Sequence, residues 1–102
     1  MKSTFQELEL TNGKVVKLTL NFARLLKIKT ENIQTYEDFM RIIQGKDFDP
    51  LLDALKVIYV GYLCANIDND EILEENEFYE LVPFDIEEIN IKAGLLIQSK
   101  KK

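Results

Sequence analysis

Pro83 divides two stretches that both read as helix. It has no N–H to donate and its ring crowds the turn before it, so a helix reaching it from the amino side must stop. The upstream piece, residues 76–82, opens on Asn76, and the downstream piece, residues 86–98, opens behind Asp85. Both residue types cap helices through a side-chain oxygen. Each piece is acidic on one side and apolar on the other. In the second, Ile86, Ile89, Ala93, Leu96 and Ile97 recur at helical spacing and are the expected buried stripe. Residues 76–91 are therefore expected to form a jointed amphipathic surface, with no catalytic group in it.

A second strong start is Asp49-Pro50, a capping carboxylate followed by proline in the first turn, where the missing N–H costs nothing. Leu51, Leu52, Leu55, Ile58, Tyr59, Tyr62 and Leu63 follow it, and Val57, Val60, Cys64, Ala65 and Ile67 fill much of the other side. A helix apolar nearly all round belongs at the centre of a domain. Gly61 within it costs about 1 kcal/mol relative to alanine, so close approach of a neighbouring element is the expected compensation.

Towards the amino terminus, Leu8 and Leu10 alternate with polar residues, as do Val16, Leu18 and Leu20. Asn12-Gly13 between them suits a tight primed turn, which requires positive φ at both central residues. A hairpin of this length is marginal alone, so the helices that follow are its expected cover. Asn21 caps a short helix carrying Phe22, Leu25 and Leu26 on its inner side and ending near Lys29-Thr30. Thr35, with Asp38 three residues on, reads as a capping box opening the next helix. Its apolar stripe is Tyr36, Phe39, Met40 and Ile43, with Gly45 as C-cap. The expected fold is mainly α: a single domain over residues 1–102, with an N-terminal β-hairpin at about 4–20. The hairpin packs on a bundle of about four to five helices at about 21–98, and a frayed lysine tail follows at 99–102.

Composition narrows the function. The chain has 102 residues and 46% apolar content, enough for one core without a metal or disulfide. Its net charge of -5 repels phosphate backbones and anionic headgroups, so no nucleic-acid or membrane partner is expected. The lone cysteine, Cys64, sits in an apolar helix and reads as an inert buried thiol of a reducing compartment. With no histidine, the commonest metal ligand and the commonest general base near neutral pH are both missing. No signal peptide is visible, and the apolar-rich run at 57–67 is too short for a membrane span, which points to a cytoplasmic protein.

Asn66, Asp68 and Asp70, with Glu77 at the twelfth position, have the spacing of a calcium loop, but Glu71 stands where such a loop needs glycine. The stretch reads as a solvated acidic loop. Carboxylates are plentiful, yet nothing in their spacing selects an acid–base pair. Tyr59 and Tyr62 read as core or groove residues, since a base-stacking platform would need basic surroundings. The chain thus reads as non-enzymatic, with no cofactor, no catalytic residue and no metal ligand. What stands out is apolar surplus: the third helix, the aromatic stripe of the second, and Phe78, Tyr79 and Phe84. Such surplus either packs internally or marks an oligomer interface or partner groove.

The order of these features resembles the small tail assembly chaperones of long-tailed bacteriophages of Gram-positive hosts and their prophages. The matching features are the hairpin around Asn12-Gly13, the short helix from Asn21, the central helix from Asp49-Pro50, and the closing Glu77-Phe78-Tyr79-Glu80-Leu81-Val82-Pro83-Phe84-Asp85 before a last helix. The resemblance implies a protein without enzymatic activity that binds the long helical tape measure protein and keeps it soluble. Such a protein self-associates in the host bacterial cytoplasm and leaves before the virion matures. It also implies a second, longer form made by ribosomal frameshifting, for which an A-rich run encoding Lys100-Lys101-Lys102 would serve. Phe78, Tyr79, Leu81 and Phe84 are the expected partner-binding residues. The alternative from another class is a small acidic regulator or inhibitor, antitoxin-like or a nucleic-acid mimic, whose carboxylates would face a basic protein surface.

Overall fold

The computed structural model describes residues 6–45, 48–69 and 71–98, apart from the side chain of Gln98. Two strands, β1 (Gln6–Glu9) and β2 (Val15–Leu18), precede five helices: α1 (Phe22–Glu31), α2 (Ile33–Gln44), α3 (Leu52–Ala65), α4 (Glu75–Leu81) and α5 (Ile86–Gln98). The mainly helical fold with an N-terminal hairpin is the one the sequence leads to. Thr4 and Phe5 of the expected hairpin, Asp70 of the acidic loop and the expected tail at 99–102 lie outside the described residues.

The strands pair antiparallel with Leu8 opposite Val16, so Leu8, Leu10, Leu18 and Leu20 all point into the core. The turn differs from the expected primed one. Only Gly13 takes a positive φ, at 89°. The Leu10 N–H donates to the Lys14 carbonyl at 2.7 Å, and the Gly13 N–H donates back to Leu10 at 3.0 Å. Thr11, Asn12 and Gly13 thus make a three-residue loop with glycine in the left-handed position, the next most favoured hairpin solution. Asn12 uses its side chain instead of its backbone freedom, accepting from the Lys14 N–H at 3.0 Å.

Helix starts follow short-range capping, though not always at the expected residue. Asn21 caps α1 by accepting from the Arg24 N–H at 3.0 Å. Asn32, not Thr35, caps α2, accepting from the Thr35 N–H at 3.3 Å; Thr35 is itself buried inside the first turn. Gly45 does end α2, but in extended backbone with φ -77°. Asp49 accepts from the N–H groups of both Leu51 and Leu52 at 2.8 Å, and those bonds hold its carboxyl below the usual carboxylate range. The side chain of Glu77 accepts from the Glu74 N–H at 3.2 Å, so α4 is capped at Glu74 and not at Asn76.

Helix α3 is central. It packs against β2, α1, α2, α4 and α5, and every residue from Val57 through Cys64 is buried. Fully burying one aliphatic side chain is worth about 1.5–3 kcal/mol, so this run is the main source of cohesion. At Gly61 the expected close approach is present from two sides. An added Cβ would lie 3.0 Å from Leu96 Cδ1 and 3.4 Å from Leu18 Cβ. The Gly61 carbonyl accepts from the Thr19 N–H at 3.1 Å, tying the hairpin to the helix.

The stripe of α1 is rotated from expectation. Leu25 and Ile28 are buried, while Phe22 is 82% and Leu26 58% exposed. Arg24 rotates inward instead, its guanidinium donating to the Cys64 carbonyl at 2.6 Å. In α2, Phe39 is buried and Tyr36 and Met40 are half-buried, but Ile43 is 42% exposed. In α5, Ile89, Ala93 and Leu96 are buried and Ile97 half-buried, whereas Ile86 is exposed.

Candidate partner-binding site

The joint at Pro83 is built by hydrogen bonds on both sides of the proline. Helix α4 closes where the Val82 N–H donates to the Phe78 and Tyr79 carbonyls at 3.1 and 3.3 Å. The Asp85 N–H then folds back onto the Pro83 carbonyl at 2.8 Å. The Asp85 carboxylate caps α5 as expected, accepting from the Glu88 N–H at 3.1 Å. Two long-range bonds pin the corner. The Leu81 carbonyl accepts from Thr11 in the hairpin turn at 2.8 Å, and the Asn90 amide of α5 donates to the Pro50 carbonyl ahead of α3 at 2.7 Å.

The four candidate residues separate across this corner. Phe78 is wholly buried and stacks on Tyr62 with ring centres 4.7 Å apart and an interplanar angle of 26°. Tyr59 lies 5.4 Å from the same ring. Phe78 is thus a core residue. The two core tyrosines also hold the chain leading into α4: the Tyr59 hydroxyl donates to the Leu73 carbonyl and the Leu73 N–H donates to the Tyr62 hydroxyl, both at 2.9 Å. Burial, with the nearby Glu75 charge, pushes the Tyr59 phenol up to about 12.

Tyr79 is half-buried, and its hydroxyl donates to Glu75 Oε2 at 2.7 Å. Burial, then that bond to a carboxylate, pushes its phenol well above the ordinary tyrosine value. Leu81 is also half-buried, but it lines a different cleft, between the hairpin and the segment leading to α4. Phe84 is 93% exposed, at the apex of the corner. Of the four, only Tyr79 and Phe84 share a surface: a shallow apolar depression of about 80 Å³ that also takes in Leu51, Pro83 and Ile86. Leu51 and Ile86 escaped the sequence reading because both lie on faces that periodicity assigns to the core. Leu51 stands immediately before α3 and Ile86 is the first residue of α5, and that position at a helix start is the signal that marks them.

A second apolar feature was not anticipated. Phe22, Leu25, Phe39, Ile43, Leu20 and Ile97 line a groove of about 250 Å³ where α1, α2 and α5 meet. Its lining is almost wholly hydrocarbon, broken by Asn21.

A polar network beside the Pro83 corner joins three helices. Lys56 of α3, its side chain only 13% exposed, pairs with Glu75 at 2.9 Å and Asp38 at 3.4 Å, joining α2, α3 and α4. Burial acts to raise the Asp38 pKa, but the Gln34 hydrogen bond, the Lys56 charge and the Arg41 bond outweigh it and hold the carboxyl low. Of the residues with calcium-loop spacing, the three described ones are engaged elsewhere. The Asn66 amide donates to the Tyr62 carbonyl, Asp68 pairs with Lys27, and Glu77 caps α4. Among the described residues no group of three or more acidic or cysteine side chains is placed to hold a metal ion. No helix among them is long and apolar enough to cross a membrane.

No family model matches this chain, and neither the curated proteins nor the solved structures contain a match to it.

Proposed function

We propose that this protein is a non-enzymatic assembly chaperone of the phage-tail type. In this reading it binds the helical tape measure protein through apolar surface and keeps it soluble in the bacterial cytoplasm. It acts together with further copies of itself and stays out of the finished virion. The observation that supports the reading is Phe84, 93% exposed on a corner fixed by hydrogen bonds and flanked by Tyr79, Leu51 and Ile86. An amphipathic client helix offers spaced apolar anchors to such a shelf. The shelf is small and shallow, which suits a client that must be released. The exposed Asp85 carboxylate lines it, and the exposed carboxylates Glu80, Glu87 and Glu88 in the same segments keep the complex in solution.

The test is co-expression with tape measure fragments. The wild-type chain should hold them in the soluble fraction. Phe84→Glu should lose that capacity while its circular dichroism stays that of the wild type. Fragments that remain insoluble with the wild type, or soluble with Phe84→Glu, would sink the proposal.

One observation favours the second reading, an acidic regulator of a basic protein. Residues 71–91 hold eight carboxylates and no lysine or arginine. That function would survive Phe84→Glu and be abolished by moderate salt.

A further inference from the structure

A sheet of two strands has two outer edges, and in this fold they are not alike. Bonded and non-bonded residue pairs alternate along an antiparallel ladder. The Leu10 N–H meets the Lys14 carbonyl and Leu8 stands opposite Val16, so the odd-numbered residues of both strands turn their N–H and C=O groups outward. The β1 edge is closed at both ends. Lys92 Nζ donates to the Glu7 carbonyl at 2.8 Å, and the Thr11 N–H donates to the Leu81 carbonyl at 2.8 Å. The β2 edge is tied at Thr19, whose N–H donates to the Gly61 carbonyl at 3.1 Å. Towards the turn the same edge borders a cleft of about 480 Å³, with Val15, Val16 and Lys17 on one side and Asn66, Ile72 and Leu73 on the other. Val15 is 56% exposed. Among the described residues, no bond to its N–H or carbonyl comes from outside the hairpin.

An outward row of N–H and C=O groups is matched by another extended backbone. A helix or a purely apolar molecule in this cleft would displace water from Val15 and give its backbone groups no partner. The charges narrow the occupant further. Among the described residues lining the cleft, the charged ones are Lys14, Lys17 and Glu71. A second copy pairing edge to edge would bring four lysines of two β2 strands together, which like-charge repulsion opposes. A strand bearing carboxylates is attracted to the same edge. The half-buried Ile72 and Leu73 offer contact to apolar side chains on its alternate positions.

We propose that β2 accepts, as a third strand in this cleft, an extended segment of another protein in which apolar and acidic residues alternate. The Val15 N–H and carbonyl bond to its backbone, its apolar side chains turn onto Ile72 and Leu73, and a carboxylate lies beside Lys14. Among the described residues this cleft shares no lining with the depression at Phe84, so the proposal stands or falls apart from the chaperone reading.

The test is a titration of the isotope-labelled chain, followed by amide NMR, with a capped heptapeptide that alternates glutamate and valine. Shifts should cluster at Val15, Lys17, Ile72 and Leu73, and exchange of the Val15 amide with solvent should slow. The same peptide N-methylated throughout keeps its side chains and loses its backbone donors, so it should not bind. A peptide with lysine for glutamate should bind more weakly. Lys14→Glu, at an exposed position beside the turn, should weaken binding of the glutamate peptide about threefold or more while amides far from the cleft keep their wild-type positions. No shifts at millimolar peptide, shifts confined to other surfaces, or equal binding of the N-methylated peptide would each overturn the proposal. So would equal binding of the lysine peptide or undiminished binding by Lys14→Glu. A Val15 amide that becomes protected at high protein concentration without peptide would assign the edge to a second copy and overturn it as well.

Discussion

Phe78 and Phe84 are six positions apart in the same segment, and their truncation should have opposite consequences. Phe78 is fully buried and in ring contact with Tyr59, Tyr62 and Tyr79 at 5.4, 4.7 and 6.2 Å. Truncating a core phenylalanine to alanine costs about 3–5 kcal/mol in lost transfer energy and residual cavity. Loss of the stacked pair with Tyr62 moves the cost towards the top of that range. A domain of this size has about 5–15 kcal/mol in total, so Phe78→Ala should remove a third of it or more. At about 4–8 °C per kcal/mol, the melting temperature should fall by roughly 15 °C or more. Phe84→Ala changes a side chain that is 93% exposed, and the expected shift is within about 0.5 kcal/mol. Thermal melts followed by circular dichroism, with urea titrations to separate stability from changes in slope, give both numbers. A Phe78→Ala protein that melts within a few degrees of the wild type would refute the placement of Phe78 in the core. A Phe84→Ala protein as damaged as Phe78→Ala would refute the exposed corner.

Three further outcomes follow from the same structure. Asp38 has a folded pKa below its unfolded value. Its contribution is therefore complete above about pH 4 and is lost as pH falls towards the folded value. Asp38→Asn should lower the melting temperature at neutral pH and flatten its dependence below pH 4, and an unchanged acid profile would contradict the Gln34–Asp38–Lys56 network. The Tyr59 and Tyr79 phenols are raised, so the stability they add is full below about pH 10. That stability fades as pH climbs towards the Tyr59 value of about 12. Ultraviolet titration should show late-ionising tyrosines that Tyr59→Phe and Tyr79→Phe remove, and four tyrosines titrating together near 10 in the folded protein would be inconsistent with this packing. Gly61→Ala should fail to deliver the gain of about 1 kcal/mol that the change gives in an open helix, because its methyl meets Leu96 Cδ1 at 3.0 Å. A melting temperature several degrees above the wild type would mean that the helices are less closely packed than this.

The parts of the fold legible in the sequence are those decided within a few residues. Asn21, Asp49 and Asp85 each satisfy free N–H groups two or three positions ahead. Pro83 ends α4 through its own covalent structure, and Gly13 takes the one left-handed position in the hairpin loop. Even the local errors are short-range: Asn32 outcompetes Thr35 for the start of α2, and Glu74 with Glu77 outcompetes Asn76 for α4. Continuous apolar character likewise marked α3 as central, since no rotation of that helix leaves it a polar face. Tertiary structure alone decided which of several apolar residues on an amphipathic helix is covered. Periodicity places Phe22 on the inner face of α1, but in the fold Arg24 reaches the end of α3, Ile28 is buried and Phe22 is not. It assigns Phe78 and Phe84 alike to one acidic, aromatic segment. Phe78 falls where α4 crosses Tyr59 and Tyr62, while the turn at Pro83 carries Phe84 past the last surface that could cover it. Caps and breaks are settled by the nearest bonds; burial depends on where distant helices come to rest.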